Sequence, residues 1–171
     1  NVVFAIDRAG LVGADGETHQ GIFDLSYLNC IPNMTIMAPK NSFELEDMLD
    51  FAFKVDGPVA IRYPRGKAYK ELAEFDSKIE YAKAELLYEE KDIAIVACGS
   101  MVSTAKHVRE KLKIKGYSVS IVNARFIKPI DTDMLDRICK DHTLVITMEE
   151  NVLLGGFGLS VRNYISSKYK D

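Results

Sequence analysis

The apolar period of this chain switches repeatedly between short unbroken runs and helical spacing, and no other feature constrains its fold as much. Residues 2–6 form a continuous apolar run, the kind buried on both faces of a parallel sheet. Further strands are expected at residues 34–38, 59–61, 93–97, 119–122 and 144–148. Helices are expected between them. The first covers residues 22–28 and stops before Pro32. The second is capped by Asn41, with Glu44 three residues on in capping-box position and an apolar face of Phe43, Met48, Leu49, Ala52 and Phe53. The third is opened by Ser100 and ended by Gly116, with Lys111, Lys113 and Lys115 at its negative end. The fourth is capped by Asp131, and the fifth runs over residues 159–169 after a glycine-rich turn. This alternation predicts an α/β protein of two three-layer α/β/α units with mainly parallel sheets and right-handed crossovers. Residues 67–84 are charged and weakly periodic and read as an interdomain linker.

Composition narrows the function. At 47% hydrophobic and 27% charged residues, extended disorder is ruled out. A formal net charge of -3 gives no field that steers the chain to nucleic acid or to an anionic membrane. No apolar run approaches the roughly 18 to 20 residues that span a bilayer. Neither nucleic acid nor membrane is therefore expected as a partner. Cys30, Cys98 and Cys139 are far apart and match neither a disulfide framework nor a zinc pattern, which points to a reducing, cytoplasmic setting. The chain opens on Asn1 and at once on a strand of central type, so it is expected to be a piece of a longer one.

Ligands of open parallel sheets bind beyond the carboxyl ends of the strands, which directs attention to the segment after the first strand. Gly10, Gly13, Ala14, Gly16 and Gly21 there permit close backbone approach, and Arg8, Asp15 and His19 carry charge or move protons. Two readings stay open: an anion or substrate site with a proton-transfer histidine, or a surface loop whose Asp15 and His19 cap a helix. Arg62-Tyr63-Pro64-Arg65-Gly66 follows the third strand and would emerge at the same edge as Arg8. Two converging guanidinium forks clamp a phosphate or carboxylate; the alternative is a surface arginine paired with a linker carboxylate such as Glu71. Residues 125–129, 149–151 and 155–158 read as tight turns at a packed interface. His107 reads as solvated and His142 as structural.

The runs 4–10, 15–21, 23–28, 31–34, 62–66, 125–129 and 149–151 resemble the 1-deoxy-D-xylulose-5-phosphate synthases, a transketolase-like family. The resemblance covers essentially the whole chain and is most specific through residue 66. It implies an enzyme that condenses pyruvate with glyceraldehyde 3-phosphate with loss of carbon dioxide, for isoprenoid, thiamine and pyridoxal precursors. It also implies thiamine diphosphate and Mg2+ as cofactors and a cytoplasmic homodimer. Residues 1–66 would be the later part of the pyrimidine-binding domain, and 85–171 most of the C-terminal domain without its last segment. The main cofactor residues would lie outside this chain, so none is assigned here, no metal site is expected, and the isolated segment is expected to be inactive and cofactor-free. By resemblance, Arg8 and Arg65 hold the substrate phosphate, His19 binds substrate oxygens and shuttles protons, and Asp15 orients His19 or contacts the acceptor. The rivals are a 2-oxo acid dehydrogenase beta subunit, another transketolase-like enzyme, or a non-catalytic α/β nucleotide-binding or interaction module.

Overall fold

The computed structural model describes residues 1–67 and 69–169. Every expected strand forms, and two more appear. β1 (Val3–Ile6), α1 (Asp24–Asn29), β2 (Thr35–Met37), α2 (Ser42–Ala52) and β3 (Val59–Arg62) are followed by β4 (Glu85–Tyr88) and β5 (Ile93–Ala97). Then come α3 (Met101–Ile114), β6 (Val119–Asn123), β7 (Phe126–Lys128), α4 (Thr132–Asp141), β8 (Leu144–Met148) and α5 (Phe157–Lys168). The strands make two four-stranded sheets, ordered β1-β3-β2-β7 and β4-β6-β5-β8. β1, β2 and β3 pair in parallel, as do β5, β6 and β8. The mainly parallel α/β class is therefore borne out, with β7 and β4 as antiparallel edge strands.

The period of two along β5 explains the second unit. Ile93, Ile95 and Ala97 face α3 through Val102 and Ala105, whereas Ala94, Val96 and Cys98 face α4 and α5 through Leu135, Ile138 and Val161. The first sheet buries Met37, Val59 and Ile61 under α2. Its other face, with Ile36, Ala38 and Ala60, joins the same core as α4 and α5. One apolar core thus runs across both units. β7 continues this union: it comes from the second half of the chain yet closes the first sheet, with Phe126 fully buried and edge-on to Phe51 and Tyr81. Three residues are too few to show an alternation, so β7 left no strand signal in the sequence.

Other details differ from expectation. On α2, Met48 and Ala52 are buried, but Phe43 and Phe53 face outward. Residues 67–84 do more than bridge: Leu72 and Ile79 are buried, and the Ser77 and Lys78 carbonyls accept from Arg125. Asn41 caps α2 as expected, accepting from Glu44 N at 2.9 Å. The expected reciprocal bond is redirected, because the Glu44 carboxylate accepts from Lys40 N at 2.6 Å instead.

That carboxylate belongs to a buried ionic network. Lys40 Nζ bonds Glu44 at 2.9 Å and Glu85 at 2.8 Å, and Arg125 pairs with the same two carboxylates at 2.7 and 3.0 Å. Asn123 Nδ2 also donates to Glu44 at 2.9 Å. Burial alone would raise the Glu85 carboxyl, but hydrogen bonds from Lys40 and Ser77 and the charges of Arg125 and Lys40 outweigh it, leaving Glu85 below the ordinary range. A depressed acid contributes stability that is complete above its unfolded value, about 4.3, and is lost as pH falls through the folded value. Acid titration of folding is therefore expected to show a stability loss below about pH 4 that shrinks in Glu85→Gln. An unchanged acid limb in that variant would contradict the assignment.

Candidate functional site

The loop after β1 is closed at its base by backbone. Gly10 N donates to Gly21 O at 2.8 Å, Gly21 N donates back at 2.9 Å, and Ala9 N bonds Tyr63 O beyond β3. A Cβ on Gly21 would collide with the Arg8 carbonyl and lie 3.0 Å from Ala9 Cα, so the two strands of the loop can meet only there without a side chain. Inside the loop, Gln20 donates to Val12 O at 3.0 Å and Gly16 O at 2.5 Å and accepts from Val12 N at 2.6 Å. One amide side chain thus does the work of a short ladder.

Arg8 adopts a left-handed backbone, φ 60°, which costs an arginine of the order of 1 kcal/mol. Its Nε donates to Asp15 Oδ2 at 2.8 Å, and its Nη1 pairs with Asp7 at 3.0 Å. Arg65, in the turn after β3, pairs with the other oxygen of Asp15. The Asp15 side chain is only 4% exposed, while both guanidinium groups remain partly open to solvent. The structure therefore brings Arg8, Asp15 and Arg65 to one point. His19 rides on the same loop, exposed, with its Nδ1 2.9 Å from Thr18 Oγ1. Asp15 spends its carboxylate on the two arginines and does not orient His19.

Arg65 borders two clefts. One, of about 350 Å³, is lined by residues of the glycine loop, Pro64, the start of α3 and Glu150. The other, of about 570 Å³, lies against Asp7, Tyr63, Lys67, Tyr69, Ser100 and Thr104. Both lie between the two units, with guanidinium and hydroxyl groups and one carboxylate, Glu150 or Asp7, among their lining residues.

Sequence reasoning missed Arg62 as a separate element. It is 4% exposed, its Nε donates to Asp24 Oδ2 at 2.5 Å, and its Nη2 donates to the carbonyls of Gly21 at 2.7 Å and Glu150 at 2.5 Å. The signal was present, because a charge ending a fully buried strand must find a buried partner. Glu149 caps α5, accepting from Phe157 N and Gly158 N, both at 2.8 Å. Burial raises its carboxyl above the ordinary range despite those two bonds. His142 is held between Ile138 O and Ser120 Oγ, and His107 is exposed.

The transketolase pyrimidine binding domain family matches residues 1–70, and the transketolase C-terminal domain family matches residues 82–171. The chain is 55% identical over 164 residues to the 1-deoxy-D-xylulose-5-phosphate synthase of Lachnoclostridium phytofermentans, covering 96% of the chain and 26% of the relative. It is 49% identical over 174 residues to the synthase of Listeria monocytogenes, covering 100% of the chain and 29% of the relative. The chain thus spans little more than a quarter of the length of these relatives. Among solved structures, a split-gene transketolase described as an inactive beta4 tetramer superposes with a TM-score of 0.90 at 31% identity, over 99% of this chain and 54% of that one. A transketolase from Campylobacter jejuni shares the fold, with a TM-score of 0.68 at 22% identity over 99% of this chain and 31% of that one.

Proposed function

This chain belongs to the transketolase family, and from that premise we propose that it forms the later part of a 1-deoxy-D-xylulose-5-phosphate synthase. The reaction joins pyruvate to glyceraldehyde 3-phosphate with loss of carbon dioxide, and supplies precursors of isoprenoids, thiamine and pyridoxal. The observation that carries this reading is the convergence of Arg8 and Arg65 at the carboxyl ends of β1 and β3, beside the loop that bears His19. Two planar forks at a strand edge suit the phosphate of a small sugar precursor. Residues 1–66 belong in this reading to the pyrimidine-binding domain, 67–84 to the connection, and 85–171 to the C-terminal domain of a homodimer.

Each residue has a role in it. Arg8 and Arg65 grip the phosphate. Asp15 holds the two guanidinium groups apart and in plane until the phosphate takes their donors. His19, exposed and on the same loop, bonds substrate oxygens and moves protons. Thiamine diphosphate and Mg2+ accompany the family. Among the described residues, however, no group of three His, Cys, Asp or Glu side chains is placed to hold a metal ion. No step through the cofactor is assigned to this segment. Among the described residues no helix is long and apolar enough to cross a membrane.

Arg8→Ala or Arg65→Ala in the full-length enzyme is expected to raise KM for glyceraldehyde 3-phosphate about tenfold to a hundredfold, from the loss of one charge-assisted contact. The lysine variants keep the charge without the fork and should fall between. Steady-state kinetics with the aldehyde varied makes the test. A wild-type KM in both alanine variants would remove the clamp.

A further inference from the structure

The second unit meets the glycine loop at Gly10 through Glu150. We infer that Glu150 is a positioning residue for the phosphate clamp, acting on the backbone beside Arg8; the inference rests on the clamp reading above. Its carboxylate lies flat against Gly10. A Cβ built on Gly10 would stand 2.5 Å from Glu150 Cδ and 2.8 Å from Oε2, so the contact exists only because residue 10 is glycine. The carboxylate is held there by Ser100, whose Oγ donates to Oε2 at 2.5 Å. Ser100 is the N-cap of α3, yet its side chain makes no capping bond. The hydroxyl that a helix start ordinarily uses is committed to Glu150 instead.

The backbone of Glu150 is tied to the same spot. Its carbonyl and that of Gly21 accept from one nitrogen, Arg62 Nη2. Gly21 and Gly10 form the paired bonds that close the loop, and the Arg8 carbonyl lies directly against Gly21. A shift of Glu150 therefore passes to Gly10 and, two residues away, to the left-handed Arg8. Glu150 and Arg65 also line the same cleft, so both arms of the clamp stand in register with the second unit. The contact works by shape and one accepted hydrogen bond. Glutamine supplies both, and a negative charge beside a phosphate site would otherwise be a disadvantage.

The test uses the full-length enzyme with glyceraldehyde 3-phosphate and with unphosphorylated glyceraldehyde. Glu150→Ala is expected to raise KM for the phosphorylated aldehyde about tenfold, through misplacement of one contact, and to leave KM for the unphosphorylated one within about twofold. Glu150→Gln should restore the wild-type preference. Melting temperatures report folding. If Glu150→Ala does not fold, Ser100→Ala, which releases the carboxylate, is read in the same assay for the same preferential loss. Equal changes with both aldehydes, no change, or failure of glutamine to restore the preference overturns the inference. Arg8→Ala is the reference: if it loses the phosphate preference while the Glu150 and Ser100 variants keep it, only this inference falls. If Arg8→Ala keeps the preference as well, the clamp itself is wrong.

Discussion

Arg125→Met is expected to destabilise this fold by about 3 to 5 kcal/mol at pH 7, because it leaves two buried carboxylates facing a single ammonium. The side chains of Lys40, Glu44, Glu85 and Arg125 are each 6% exposed or less, and together they are two cations against two anions. Arg125 also donates to the carbonyls of Ser77 and Lys78, so its removal takes that donor from both. Methionine has the length to fill the space but none of the donors. Urea unfolding with tryptophan-free probes, such as far-UV circular dichroism, measures the loss, since the chain has no Trp. The direction with pH is also fixed. Without Arg125 the Glu85 carboxylate is desolvated with less compensation, its folded value rises, and the deficit should narrow as pH is lowered from 7 toward 5. A loss below about 1 kcal/mol, or a deficit that widens on mild acidification, would mean that the pairs contribute little over solvated charges.

This network shows where the sequence stopped being readable. The strands β2, β3, β5 and β6 were legible because burial on both faces of a parallel sheet demands unbroken apolar runs. The caps were legible because they are local: Asn41 accepts from Glu44 N, and Asp131 from Met134 N. Lys40, Glu44, Glu85 and Arg125 were not. Each looks like an ordinary surface charge, and their partners lie up to 81 positions away, so only the tertiary fold shows that they are buried together. β4 and β7 were hidden for a related reason, because each is an antiparallel edge strand of four residues or fewer. At the site, the glycine loop and its arginines were legible as a resemblance and as a position at a sheet edge. The link between Arg8 and Arg65 through Asp15 was not, nor was the tie from Glu150, because neither pairing has a sequence period.

Arg62 carries the second large expectation. Its guanidinium joins three segments at once: Asp24 at the start of α1, Gly21 at the end of the glycine loop, and Glu150 from the second unit. Asp24 is itself buried, and its Oδ1 has no partner among the described residues, so Arg62 is the sole source of compensation for that carboxylate there. Arg62→Met should therefore cost about 3 to 5 kcal/mol, the range for stranding one member of a buried pair. Asp24→Asn, which removes the charge but keeps an acceptor, should cost less. The double variant Arg62→Met/Asp24→Asn should recover part of the loss, giving a coupling energy of about 1 to 3 kcal/mol in a double-mutant cycle. Arg62→Lys separates the two duties of the side chain. An ammonium can satisfy Asp24 but cannot span both carbonyls, because it lacks the planar fork. That variant should regain much of the stability while KM for the phosphorylated aldehyde stays raised in the full-length enzyme. Recovery of both properties together would show that charge alone, and not the fork, sets the closed loop.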